Sequence, residues 1–244
     1  MMSRVERCQT PVSASALRRR GSRAGVTNWL GAAALAAIAL GFAVPAQAFE
    51  SRVQRLPPSV RAQLTGSAWR TGCPVPLSQL RLLTVTTWGF DGQERVGTLV
   101  VNADYAEQLA AVFGRLHELR FRIRHMRLAD SYGQVATRPN DGDVSASFEC
   151  RQAVPSPCSG GTGTGTWSRH AFGLAIDLNP RENPYVGCGK LRDPSRRPYL
   201  DRSRIRPGMV TPAVVAAFGE IGWSWGGAWT GDTKDYMHFS ASGR

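Results

Sequence analysis

No apolar run in these 244 residues is long enough to cross a bilayer: the most apolar, from Leu30 to Val44, covers 15 residues, against the roughly 18 to 20 that a spanning helix needs. The chain also has no internal repeat, no Cys-x-x-Cys pair and no Gly-x-Ser-x-Gly elbow. Those absences remove the support for a repeat array, a Cys-rich zinc site and a serine hydrolase. Lys and Arg are numerous but scattered, with no aromatic-interleaved basic helix and no finger spacing, so no nucleic-acid partner is expected.

Arg18, Arg19, Arg20 and Arg23 precede the apolar run, and Ala46-Gln47-Ala48 follows it. That is the layout of an export leader with cleavage after Ala48. An uncleaved membrane anchor is the alternative, and twin-arginine export is a weaker reading of the arginine run. In each case the remainder of the chain lies outside the cytoplasm, secreted or periplasmic, with the membrane touched only through an uncleaved leader. The whole chain carries a formal +12, and without the leader's six Arg and one Glu it carries +7. A moderately basic exported protein is drawn to anionic surfaces such as cell-wall polymers.

Cys73, Cys150, Cys158 and Cys188 remain beyond the leader. An even number in an oxidising compartment implies two disulfides, with three possible pairings. Residues 49–67 mix charge with Pro57-Pro58 and read as a partly ordered lead-in. The segment from Ala129 to Trp167 is rich in Gly, Ser, Thr, Asp and Pro. It reads as an ordered active-site loop or, for the Gly/Thr run itself, as a surface insertion.

Residues 68–244 form one expected domain. β-branched residues from Leu82 to Trp88, a break at Asp91-Gly92 and Val96 to Val101 predict a hairpin. Asp104 with Glu107 suggests a capping box, ahead of a helix burying Leu109, Val112, Phe113 and Leu116. Alternation over Phe121 to Leu128 predicts a half-buried strand. Thr211-Pro212 starts a second helix, with Val214, Val215 and Phe218 buried and Gly222 as its stop. Trp223-Ser224-Trp225 and Tyr236 to Phe239 read as two closing strands joined by a Gly-rich turn. The class is α+β, an antiparallel sheet with flanking helices.

Two of the four histidines stand in a setting that suits a metal. On a strand, Leu174, Ile176 and Leu178 face one way, and Asp177 faces the other beside the small Ala175. His170 lies seven residues before Asp177, and Asp235 and His238 stand three apart near the end. Three N/O donors with an open position are what a catalytic zinc requires. On spacing alone, a histidine beside an apolar strand is more often a structural residue than a ligand. His117 and His125, with no acid at ligand spacing, are assigned no role.

The run Ser168-Arg169-His170-Ala171-Phe172-Gly173-Leu174-Ala175-Ile176-Asp177, followed by Asn183-Pro184-Tyr185 and Asp235-Tyr236-Met237-His238, resembles the M15 zinc peptidases. This group comprises D-alanyl-D-alanine carboxypeptidases and L-alanyl-D-glutamate endopeptidases. The likeness extends to Gly72-Cys73-Pro74, Ser147 to Arg151 and Gly222 to Gly227. It implies the fold shared with the hedgehog signalling domain, with zinc held by His170, Asp177 and His238 and Asp235 as general base. It further implies Arg151 facing the oxyanion, with Arg138 as rival, and peptidoglycan stem peptides as substrate. Glu149 departs from the Asn of close relatives. Asp235 is expected on the turn leading into the strand of His238; the bland reading makes it an ordinary turn aspartate like Asp232. The cluster of Trp223, Trp225 and Trp229 either walls the cleft or packs in the core. A non-catalytic zinc-containing wall- or partner-binding module is the alternative function, and retention of Asp235 with all three ligands argues against it.

Overall fold

The computed structural model describes residues 48–155, 158 and 165–242. Apart from Ala48, the expected leader lies outside the described residues, as does most of the Gly/Thr run. Among the described residues no helix is long and apolar enough to cross a membrane.

Three strands, β1 (Ser51–Arg55), β2 (Leu80–Trp88) and β3 (Glu94–Asn102), form an antiparallel sheet in that order. The expected hairpin is β2–β3. The stretch expected to be partly ordered is instead β1 followed by α1 (Pro58–Leu64). The reason is tertiary: β2 offers an edge on which Val53 pairs opposite Leu83. Leu56, Val60 and Leu64 then close a core with Leu77, Leu80, Leu82, Val100 and Phe148. Exposed Arg52 and Arg55 mask this pattern in the sequence.

The other sheet face, through Leu83, Val85, Leu99 and Val101, packs on α2 (Ala106–Glu118). Leu109, Val112, Phe113 and Leu116 are buried as expected. The capping box does not form. The Asn102 side chain takes the Asp104 N–H at 3.0 Å, and the helix starts after Tyr105 with no side-chain cap. Phe121, Ile123 and Met126 are buried, yet residues 121–128 make only isolated bridges, Trp88 with Arg122 and His125 with Val144. The chain leaves the extended course because Asp130 accepts the Arg127 N–H at 2.9 Å and starts α3 (Leu128–Tyr132).

The later half carries two small antiparallel sheets. One orders β4 (Ala175–Asp177), β9 (His238–Ser240) and β7 (Ser224–Trp225) as β4-β9-β7; the other orders β5 (Tyr185–Gly187), β6 (Lys190–Leu191) and β8 (Lys234–Asp235) as β6-β5-β8. α4 (Pro212–Gly219) begins as expected, with Thr211 Oγ1 accepting the Val214 N–H at 3.4 Å. The class is α+β, but the described strands form three sheets where one was expected. The two disulfides are Cys73–Cys150 and Cys158–Cys188.

Candidate metal centre

His170 sits in a 3-10 turn, Arg169–Phe172, begun by Ser168 Oγ accepting the His170 N–H at 3.3 Å. Gly173 ends the turn at φ +67, where a side chain is strained. A Cβ there would also lie 2.7 Å from the Asn102 nitrogen. The space is needed because Asn102 donates from its backbone to Gly173 O and from its side chain to Phe172 O, both at 2.9 Å. The histidine turn is thereby fastened to the end of β3.

The His170 ring is buried, with Nδ1 2.6 Å from the Ser147 carbonyl. A carbonyl only accepts, so Nδ1 carries the proton and Nε2 keeps a lone pair for a ligand. Antiparallel pairing sets Asp177 opposite His238. Asp177 Oδ2 is 3.3 Å from His170 Nε2, and Asp177 Oδ1 is 3.1 Å from His238 Nδ1. One donor atom from each of the three lies within 4.8 Å of the others.

Among the described residues three buried atoms at this place, His170 Nε2, His238 Nε2 and Asp235 Oδ1, make no hydrogen bond, and the 3.3 Å approach of Asp177 Oδ2 to His170 Nε2 is an ion-pair contact only. Leaving polar atoms buried and unpaired costs about 1–3 kcal/mol each. Two imidazoles and a carboxylate with unpaired lone pairs fit a borderline-soft divalent cation such as zinc. Without such a cation the groups share charge among themselves. Burial alone would lower the His170 pKa, but the Asp177 carboxylate outweighs it and raises it. Burial opposes charge on Asp177 too, yet His170 and His238 hold its carboxyl well below the usual range. Asp235 is pushed up to about 8 by burial first and then by Asp177, against the pull of His170 and Arg151.

Asp235 is not on the turn that leads into β9. It lies in β8, opposite Tyr185, in a different sheet from His238. Tyr236 and Met237 carry the chain from one sheet to the other, so the alternation of a single strand does not govern the pair. Gly226 makes room for it: a Cβ there would be 2.6 Å from Asp235 O and 2.9 Å from Asp235 Cβ.

Arg151 is about one-third exposed and donates to Glu149 Oε2 at 2.8 Å, close enough to bias both Asp235 and His170. The rival Arg138 is turned to the carbonyl of Gly133 at 2.8 Å. Trp223 is core, whereas Trp229 lies 5.8 Å from the His238 ring. His117 and His125 do have acid partners, Glu94 at 2.7 Å and Asp141 at 3.0 Å. They lie 23 and 16 residues away, which is why spacing missed them. The Ser147 carbonyl also escaped sequence reading, because a backbone acceptor leaves no residue-type signal.

The site brings together His170 from a 3-10 turn, Asp177 and His238 from paired strands, and a second aspartate, Asp235, from a neighbouring sheet. Residues 162–241 match the family model described as D-alanyl-D-alanine carboxypeptidase, and this bears out the M15 resemblance. The matched segment holds His170, Asp177, Asp235 and His238, while Arg151 precedes it. Neither a curated protein nor a solved structure gives a match.

Proposed function

We propose that this protein is an exported zinc peptidase that hydrolyses amide bonds in peptidoglycan stem peptides, in the manner of a D-alanyl-D-alanine carboxypeptidase. In this reading residues 1–48 are a leader and 68–244 a hedgehog/DD-peptidase-like domain. His170, Asp177 and His238 hold the metal. The observation that carries the reading is the convergence of three ligand atoms with two unpartnered imidazole nitrogens and the unpartnered Asp235 oxygen.

Zinc at such a centre supplies a Lewis acid and acidifies water at neutral pH. Ser147 keeps His170 in the ligand tautomer through its carbonyl. Asp235, held against Gly226, takes the proton from the attacking water and returns it to the leaving amine. Arg151, shared with Glu149, offers its remaining N–H donors to the carbonyl oxygen as negative charge develops. The basic surface favours the anionic wall.

The test is elemental analysis of the purified protein, together with mass spectrometry of peptidoglycan and a pentapeptide stem after incubation with it. Near-stoichiometric zinc with a defined stem cleavage is expected. Zinc without cleavage of any stem would replace the reading by a zinc-containing binding module, and absence of zinc would sink the site.

A further inference from the structure

Two cavities lie in the Arg-rich part of the surface, and they differ in how their charge is balanced. The larger, about 580 Å³, is bordered by Arg95, Arg124 and Arg127. Each of these is paired with an aspartate: Asp91, Asp143 and Asp130, at 2.7 to 2.8 Å. That cavity presents no net call for an anion.

The smaller, about 270 Å³, lies between the end of α2 and residues 205–214. It is rimmed by Arg120, Arg122 and Arg206, and no carboxylate lines it. Among the described residues none of the three makes an ion pair. Arg120 rests over the Trp88 ring and Arg206 over Tyr199, contacts that hold a guanidinium by its face and leave its edge donors available. The same notch is lined by Leu119 and Ile205, 38% and 52% exposed, two of the few large apolar side chains left in solvent among the described residues. The floor is fixed, because Gly208 O accepts from Asn179 at 3.0 Å and from Asn183 at 2.9 Å.

We infer that this notch docks the protein on an anionic phospholipid surface. Arg120 and Arg206 meet the headgroup phosphates, Arg122 being held by its hydrogen bond to the Phe90 carbonyl, and Leu119 and Ile205 enter the acyl boundary. A soluble polyanion would satisfy the arginines but leave the two apolar side chains in water. A bilayer interface satisfies both, and stable peripheral binding rests on two such signals acting together.

Both hydrophobic cores lie within the compact unit of residues 46–244, so that unit is used. Sedimentation with phosphatidylcholine vesicles, with and without phosphatidylglycerol, reads the partition coefficient. Binding is expected only with phosphatidylglycerol and weakens as salt rises. Arg120→Gln with Arg206→Gln should lower it about 25-fold, from roughly fivefold per arginine. The Lys double variant should keep most of it. Leu119→Ser with Ile205→Ser should lower it at least about tenfold. If that pair does not fold, Ile205→Ala is read in its place. Absence of binding to phosphatidylglycerol vesicles would overturn the inference. So would binding that either the glutamine pair or the serine pair leaves unchanged; displacement by inorganic polyphosphate in the latter case would mark the surface as a plain polyanion patch. Cleavage of a soluble stem peptide, if present, is unaffected in all variants, so the outcome is independent of the proposed peptidase.

Discussion

Two buried clusters of carboxylates sit in this protein, and they are completed in opposite ways. In one, Asp143 and Glu182 are sealed from solvent beneath Arg124, whose guanidinium reaches Asp143 at 2.8 Å and Glu182 at 3.3 Å. The Phe90 ring lies 4.0 Å from that guanidinium, and the Arg181 backbone N–H donates to Asp143 at 3.0 Å. In the other, Asp177 and Asp235 stand among His170 and His238, and among the described residues no Lys or Arg side chain hydrogen-bonds either acid. The chain delivers a permanent countercharge into contact with the first cluster, whereas in the second Arg151 acts on Asp235 only without a hydrogen bond. A buried acid group is structural when the fold brings its own cation, and a candidate site when the fold leaves one to be supplied.

The sharpest way to break this comparison is to delete one member of each cluster and follow metal and activity. His170→Ala is expected to lower zinc content to near zero and cleavage to background. Arg124→Leu is expected to keep zinc stoichiometric. Zinc lost equally from both variants, with both folded, would mean that the clusters are not distinct in kind. Within the candidate metal centre, Asp235→Ala should separate binding from chemistry. The loss expected is about 10²–10⁴ in kcat, the usual contribution of a positioned acid–base group, with zinc retained. Wild-type turnover in Asp235→Ala would return Asp235 to an ordinary strand aspartate.

On the structural side, Arg124→Leu leaves two buried carboxyls without their cation. Removal of one partner from a fully buried pair costs about 3–5 kcal/mol. Arg124 keeps 34% exposure of its side chain. Water therefore screens part of the loss, and about 2–3 kcal/mol is expected from denaturant unfolding. A change below the error of the measurement would show that the arginine does not complete the cluster.

The two clusters were not equally legible in the sequence. The candidate ligand set could be read because His170 and Asp177 share one short run and His238 follows Asp235 closely. Nothing marked Arg124, Asp143 and Glu182 as companions, since 19 and 58 residues separate the arginine from its acids. The same holds for secondary structure. The hairpin and the α2 and α4 helices follow from local periodicity, and they are present. β1 was missed because its order comes from the edge of β2, not from its own residues. The capping box was expected on local spacing, and Asn102 pre-empted it. Asp235 was assigned to a turn because the sequence does not reveal that β8 and β9 belong to different sheets. The roles of Gly173 and Gly226 depend on what lies against them in space.

The smallest effect expected separates the clusters by pH. Glu182 is pushed up from 4.5 to about 7, by burial first and by Asp143 next, against the pull of Arg124, and its Oε2 has no partner. A carboxyl raised in the folded state binds more protons there than in the unfolded chain over the interval between those two values. Stability from this group is therefore greatest at the acid end and falls as pH rises through that window, levelling above it. The full shift corresponds to at most about 3 kcal/mol across the window. Glu182→Gln cannot ionise, so its unfolding free energy, measured by denaturant at several pH values, should lose that decline relative to the parent. Parallel curves for the two proteins would mean that Arg124 already holds Glu182 ionised. The cluster would then hold two ionised carboxylates against one guanidinium, and its contrast with the candidate metal centre would rest on the arginine alone.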